Sequence, residues 1–131
     1  MKTQPPSNNL INALVTVFYT SAIAVQLLVI LKVIPYTWVN GGMSDSYEAQ
    51  AVQSAISLVI IIALCIFVRS IVKQGTAIKK WKLIALYVIT FLWVLGLLMQ
   101  IAGTEFERFV LSFMLLIGVV SHVLLVRKVR A

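Results

Sequence analysis

Four long apolar runs constrain the fold of this chain more than any other feature of its sequence. Residues 10–31, 51–68, 83–102 and 109–126 contain no Asp, Glu, Lys or Arg. One helical crossing of a lipid bilayer takes roughly 20 consecutive apolar residues, so each run is long enough to span. A chain in hydrocarbon satisfies all its backbone amides as a helix, and the weak alternating pattern of a membrane β-barrel is absent. The sequence therefore predicts an all-α polytopic membrane protein, an antiparallel bundle of four transmembrane helices.

The composition supports this class and excludes others. The chain of 131 residues is 61% hydrophobic and 11% charged, whereas soluble domains carry roughly 25% charged residues. Four spans leave little of this length for a soluble head. The single cysteine, Cys65, cannot form a disulfide within the chain.

The N-terminal segment is predicted to be a tail that lies outside the bundle. Residues 1–9 contain Pro5 and Pro6 and no apolar run, so we expect a disordered cytoplasmic tail followed by a single domain over residues 10–131. A secretory signal would end after a shorter apolar stretch, whereas this one continues to Leu31. The first run is therefore expected to be a retained span.

Polar residues between the runs predict where the helices begin and end. Before the second run, Asp45 is placed to act as an N-cap, with Glu48 three residues later. Between the third and fourth runs, Gly103 predicts the end of one helix, and Thr104 with Glu107 has the spacing of a capping box. The last connection is therefore expected to be a tight helical hairpin.

The charged residues divide into two groups on opposite sides of a four-span chain. Nine of the 11 basic residues fall on the side of the two termini, with no acid among them: Lys2, Arg69, Lys73, Lys79, Lys80, Lys82, Arg127, Lys128 and Arg130. The other side carries all four acids and two bases: Asp45, Glu48, Glu105, Glu107, Lys32 and Arg108. Short loops rich in Lys and Arg stay in the cytoplasm, so we expect both termini to be cytoplasmic. The net charge of +7 is expected to attract anionic lipid headgroups and not nucleic acid.

Neutral polar residues within the spans recur at helical spacing and are expected to face the bundle interior. Their depth divides them into two candidate clusters. The outer polar cleft consists of Gln26, Ser54, Ser57 and Gln100. The inner polar cluster, close to Arg69, consists of Asn12, Thr16, Cys65, Tyr87 and His122. We favour interhelical hydrogen bonds, worth about 0.6 kcal/mol each, as the role of both clusters, and the alternative is that either forms the floor of a small cleft.

The sequence offers few groups for catalysis or metal binding. His122, the only histidine, is expected to be packed and hydrogen-bonded, because Cys65 alone cannot complete a metal site of three or four ligands. Cys65 as a nucleophile with His122 as its base is the enzymatic alternative, and it needs contact between the second and fourth spans. No glycine-rich phosphate loop or CxxC motif is present, and neither a metal nor a cofactor is expected.

The segment 100–109, with Gly103 and Glu107, resembles the last hairpin of a broad group of small bacterial membrane proteins. Those proteins also have four spans and a Gly-Gly or Gly-Arg outer loop after the first span, to which residues 40–42 and Glu48 correspond here. The resemblance implies the four-span architecture and a multi-pass location in the bacterial cytoplasmic (inner) membrane. It carries no catalytic residue to this chain.

Two functions stay open at this point. The small size and the absence of charge at membrane depth favour a protein that acts by binding, as an accessory membrane subunit or as a binder of a small lipid or hydrophobic ligand. The alternative is a small transporter or channel for a neutral or hydrophobic solute, which completes its pathway by dimerising through the outer polar cleft. In either case the partners expected are the lipid bilayer and a second copy of the chain or a larger membrane complex.

The predicted orientation can be tested with reporter fusions. A reporter fused after Ala131 is expected to read cytoplasmic, and one inserted at Met43 is expected to read external, because Lys and Arg concentrate on the side of the termini. Alkaline phosphatase activity in intact cells measures the external state. The opposite pattern of activities would contradict the orientation.

Overall fold

The computed structural model describes residues 8–130, and within that range the structure is all-helical, with no strand. The four long helices are α1 (Asn8–Ile30), α2 (Tyr47–Gln74), α3 (Lys80–Ile101) and α4 (Ser112–Arg130). Two single 3-10 turns, Tyr36–Trp38 and Asn40–Gly42, lie in the α1–α2 loop, and a π-helical turn, Glu107–Leu111, leads into α4. Each apolar run forms one helix, which confirms the all-helical prediction.

All four helices, α4 together with its π turn, are long and apolar enough to cross a membrane by length and composition. Large apolar side chains are exposed along each of them, among them Val17, Val59, Met99 and Phe113. A soluble monomer rarely exposes continuous apolar surface of this extent, because water penalises it. The outer surface of the bundle therefore suits hydrocarbon.

The helix starts differ from the sequence predictions in two places. α1 begins at Asn8, so residues 8 and 9 of the predicted tail are helical, and the remainder of that tail lies outside the described residues. The N-cap of α2 is Ser46 and not Asp45, because the Ser46 hydroxyl accepts a hydrogen bond from the Ala49 amide at 3.1 Å. Both residue types are favoured N-caps, and the backbone of Ser46 is extended, as the cap position requires.

α1 ends in a Schellman motif. The Val33 amide donates to the Leu28 carbonyl at 2.9 Å, and the Lys32 amide donates to the Val29 carbonyl at 3.1 Å. Lys32 itself has a φ of 64°, the left-handed conformation that this motif requires at its C′ position. The chain therefore turns sharply out of α1 and starts the loop that crosses to α2.

α1 and α4 form the middle of the bundle. α1 packs along both α2 and α4, and α3 packs along α4. α2 and α3 therefore flank the central pair, although they follow one another in sequence. In the most apolar 18-residue segment of each helix, 44% is buried for α4 together with its π turn, but only 11% is buried for α3. α3 is therefore the most exposed of the four helices.

The central pair is joined by an aromatic side chain on a glycine. Phe18 of α1 is fully buried, and a Cβ added at Gly118 of α4 would lie 2.4 Å from the Phe18 ring. Real Cβ atoms do not come so close, so only glycine leaves room for the ring. Small residues allow close approach of helices in the same way in membrane proteins generally. Gly96 of α3 differs, because a Cβ there would meet only Leu115 Cδ1 at 3.6 Å, an ordinary contact.

Gly118→Ala is expected to destabilise the protein by about 1–3 kcal/mol, because the added methyl overpacks the buried Phe18 ring. The matched control is Gly96→Ala, which should be neutral or slightly stabilising, since alanine favours helix by up to about 1 kcal/mol over glycine. The free energy of unfolding in detergent micelles measures both. Equal stabilities of the two variants would contradict the close packing at Gly118.

Candidate functional site

The end of α1, the start of α2 and the end of α3 line a half-open cavity of about 170 Å³ with a neutral polar wall, here named the amide cavity. Its polar lining comes from α1, the α1–α2 loop, α2 and α3, and consists of Gln26, Asn40, Gln50, Gln53, Ser57 and Gln100. Val25, Val39 and Leu111 complete the wall, so within residues 8–130 no charged side chain lines it. At about 30 Å³ for each water, this volume has room for about five water molecules or one small solute.

The α2 side of the amide cavity is a chain of hydrogen-bonded side chains. The side-chain Nδ2 of Asn40 donates to Gln53 Oε1 at 3.0 Å and to the Ser44 hydroxyl at 3.2 Å. The Ser44 hydroxyl donates in turn to Gln50 Oε1, and Gln50 Nε2 donates to the Ser54 hydroxyl at 3.0 Å. Gln50 and Ser54 are both buried. These contacts fix the loop on α2 and leave this half of the wall with its polar groups paired.

The other half of the wall is unpaired. Among residues 8–130, the side chains of Gln26, Ser57 and Gln100 make no hydrogen bond to any other residue, and Gln100 Oε1 is buried without a partner. Gln26 and Ser57 are half-buried, whereas leaving a buried atom such as Gln100 Oε1 unpaired costs roughly 1–3 kcal/mol, so a bound water or solute is its ordinary partner. Two amides and a hydroxyl therefore face the amide cavity with both donors and acceptors free.

A buried carboxylate ties the loop over the cavity to the α3–α4 connection. Glu107 is 3% exposed, and its Oε1 accepts a hydrogen bond from the Gly41 amide at 2.6 Å. The Thr104 hydroxyl donates to the Trp38 carbonyl at 2.5 Å, and a Cβ at Gly103 would lie 2.4 Å from Glu107 Oε2. The two hydrogen bonds join the α1–α2 loop to the α3–α4 connection beside the cavity wall, and the close approach at Gly103 lies within the α3–α4 connection.

The predicted capping box forms only in part. The Glu107 amide donates to the Thr104 hydroxyl at 3.3 Å, as the box requires. The Glu107 carboxylate, however, bonds the Gly41 amide in the other loop, and in the described residues it does not cap the start of its own helix. The capping spacing is local, whereas the loop that takes the carboxylate lies 66 residues away in sequence.

A layer of packed aromatic rings lies below the amide cavity. Phe18, Tyr19, Trp93 and His122 stack edge to face or tilted, with ring centroids 4.9–6.3 Å apart. Tyr19 is seven residues from Gln26 on α1, which places this aromatic layer about 10 Å deeper in the bundle. The layer closes the interior of the bundle beneath the cavity.

His122 uses both of its ring nitrogens within this layer. Nδ1 lies 2.6 Å from the Gly118 carbonyl, which can only accept, so Nδ1 carries the proton. Nε2 then accepts a hydrogen bond from the Tyr19 hydroxyl at 2.8 Å. Neither nitrogen is left to act as a base for Cys65, which is half-buried against the hydrophobic core. Residues 8–130 contain no group of three or more His, Cys, Asp or Glu that could hold a metal ion.

The structure divides the predicted inner polar cluster into separate places. Asn12 and Thr16 lie on one surface beside Arg69, whose Nη1 donates to the Thr16 hydroxyl at 2.9 Å. Tyr87 is exposed on α3, with the Arg130 guanidinium 5.9 Å from its ring centre. The other two members, His122 and Cys65, are in the interior. Their positions along the helices predicted a common level in the bundle, but the residues lie on different sides of it.

Of the predicted outer polar cleft, three members line the amide cavity, and Ser54 supports it through Gln50. Asn40 was not predicted to belong to the cleft, because it lies in a loop and the predicted clusters contained only residues of the spans. The prediction also left out Gln50 and Gln53, which are close to Ser54 and Ser57 on α2. Their helical spacing was a signal that could have included them.

No family model, curated protein or solved structure matches this chain. The resemblance to small bacterial four-span proteins therefore stays an expectation. The side chains of the amide cavity are therefore the evidence on function.

Glu107→Gln is expected to loosen the outer loop, because a charge-assisted hydrogen bond to the Gly41 amide becomes a neutral one, a loss of about 1 kcal/mol. The control is Glu105→Gln, since Glu105 is exposed and makes no hydrogen bond in the described structure. Amide hydrogen exchange in residues 36–44 measures the effect. Faster exchange is expected in the Glu107 variant alone, and unchanged exchange would show that the carboxylate does not hold the loop.

Proposed function

We propose that this protein is a multi-pass membrane protein that binds a small, uncharged, hydrogen-bonding solute in the amide cavity. The observation that carries the proposal is the unpaired half of the wall formed by Gln26, Ser57 and Gln100. A solute with both a donor and an acceptor would satisfy these groups. The polar side chains dominate the wall, and the apolar side chains of Val25, Val39 and Leu111 complete it.

The chemistry of the wall defines the ligand class. No charged side chain of the described part of the chain faces the cavity, so an ion entering it would lose its hydration without a counter-charge. A small amide, urea-like molecule or polyol exchanges its hydrogen bonds with water for equivalent bonds to the two glutamines. The cavity volume of about 170 Å³ restricts the ligand to a few heavy atoms.

The proposed arrangement is an antiparallel bundle with both termini in the cytoplasm of a bacterial cell. Contacts between helix ends support it: the Tyr47 hydroxyl donates to the Ile30 carbonyl, and Lys128 bonds Asn8. These pair the end of α1 with the start of α2, and the end of α4 with the start of α1. The separation of acids and bases along the chain supports the orientation.

Binding is proposed ahead of conduction because of the aromatic layer. Tyr19, Phe18 and His122 are at most 1% exposed, so a solute in the amide cavity meets packed rings about 10 Å below it. We propose that the protein works as a binding or accessory subunit in the bacterial cytoplasmic membrane. The exposed face of α3, of which only 11% is buried, offers room for a second copy or another subunit.

The test compares binding of acetamide, urea and glycerol to the wild-type protein and to the double variant Gln26→Leu with Gln100→Leu. Because each neutral hydrogen bond contributes about 0.5–1.5 kcal/mol, losing two partners should weaken binding by about tenfold or more. Saturation-transfer NMR on the protein in micelles measures the binding. The matched control is Gln74→Leu at the other end of α2, which should bind like wild type.

Two results would count against this function. The first is that none of the three probes binds the wild-type protein, and the second is that the double variant binds them as well as wild type does. A liposome flux assay with the same probes separates binding from transport. Flux through the wild-type protein that is lost in the double variant would favour the transporter alternative.

A further inference from the structure

A second cavity, here named the basic groove, lies at the other end of α1. It measures about 270 Å³ and is lined by Asn8, Asn9, Asn12, Arg69, Val72 and Lys73. Asn12 is 14 residues from Gln26 on the same helix, about 20 Å from the amide cavity. The basic groove is therefore a separate site between α1 and α2.

Arg69 is fixed in the basic groove while most of its donors stay free. Its Nη1 donates to the Thr16 hydroxyl at 2.9 Å, the one hydrogen bond that Arg69 makes in the described residues. A guanidinium has five N–H donors in a planar arrangement that matches two phosphate oxygens. Lys73 follows four residues later, so it presents a second positive charge on the same face of α2.

Neither charge has an acidic partner among residues 8–130. The four acids of the chain are Asp45, Glu48, Glu105 and Glu107. Glu48 is on the same helix as Arg69 but 21 residues away, which is about 31 Å. At physiological ionic strength, charges are screened beyond about 8 Å, so none of the four balances the groove.

An apolar surface continues from the basic groove along the bundle. On α2, Ile66 and Ile62 precede Arg69 by three and seven residues, on the same side of the helix, and are 67% and 42% exposed. A ligand with a phosphate in the groove therefore has room for hydrocarbon along these side chains.

We infer that the basic groove binds the phosphate headgroup of one anionic glycerophospholipid, with an acyl chain along the apolar surface of α2. Arg69 binds two phosphate oxygens, Lys73 supplies the second charge, and Asn12 bonds the glycerol or ester oxygens. Free phosphate could bind the same two positive charges, but it has no hydrocarbon to contact the apolar surface. The site does not depend on the solute proposed for the amide cavity.

The test uses the full chain in detergent micelles with phosphatidylglycerol or phosphatidylcholine added, and native mass spectrometry to measure bound lipid. Wild-type protein is expected to retain phosphatidylglycerol over phosphatidylcholine. Arg69→Gln should lower that retention about tenfold or more, because it removes charge-assisted hydrogen bonds. The control is Arg127→Gln, which removes the same charge from an exposed position near the end of α4 and should change retention less than twofold.

Three outcomes would overturn the inference: equal retention of the two lipids, equal losses in the Arg69 and Arg127 variants, or displacement of phosphatidylglycerol by millimolar inorganic phosphate. The last would assign the groove to free phosphate. Circular dichroism checks that Arg69→Gln keeps its helix content. If that variant unfolds, Lys73→Gln carries the same test, because Lys73 is exposed and supports no core packing.

Discussion

The packing of Phe18 against the bare backbone of Gly118 is the contact on which the rest of the bundle depends. It brings α1 and α4 close enough for the Tyr19 hydroxyl to reach His122, and it completes the aromatic layer. Because helices are stiff, this contact also sets where the outer end of α1 lies and hence the position of Gln26. The amide cavity is therefore placed by apolar packing two turns away from it.

The polar side chains in the interior of this protein fall into two groups, those with a hydrogen-bond partner and those without one. His122, Glu107, Gln50 and Ser54 are buried and each has a hydrogen-bond partner, so they hold elements together. Gln26, Ser57 and Gln100 have no partner in the described structure and line the same cavity as Gln50, and of their atoms Gln100 Oε1 is buried. An unpaired polar group at a cavity is more informative about function than a paired one, because its desolvation is otherwise uncompensated.

Local features were predictable, and contacts between distant elements were not. The four apolar runs predicted the helices, since the requirement for internal backbone hydrogen bonds acts on each run by itself. The sequence predicted Asp45 as the N-cap of α2, whereas the N-cap is Ser46. Asp and Ser have similar N-cap preferences, so only the backbone conformation distinguishes the two neighbours. The Glu107 carboxylate was assigned to its own helix, because nothing in the local sequence shows that Gly41 would lie beside it.

The sequence by itself determined the helical class, the position of each polar residue along its helix and the separation of acidic from basic residues along the chain. These properties follow from composition and from a rise of 1.5 Å per residue, which holds in any arrangement of the helices. Only the tertiary structure decided which residues of equal depth share a side of the bundle. It joined Gln26 with Gln100 and separated His122 from Thr16, because the neighbours of each helix are set by side-chain packing that no single helix encodes.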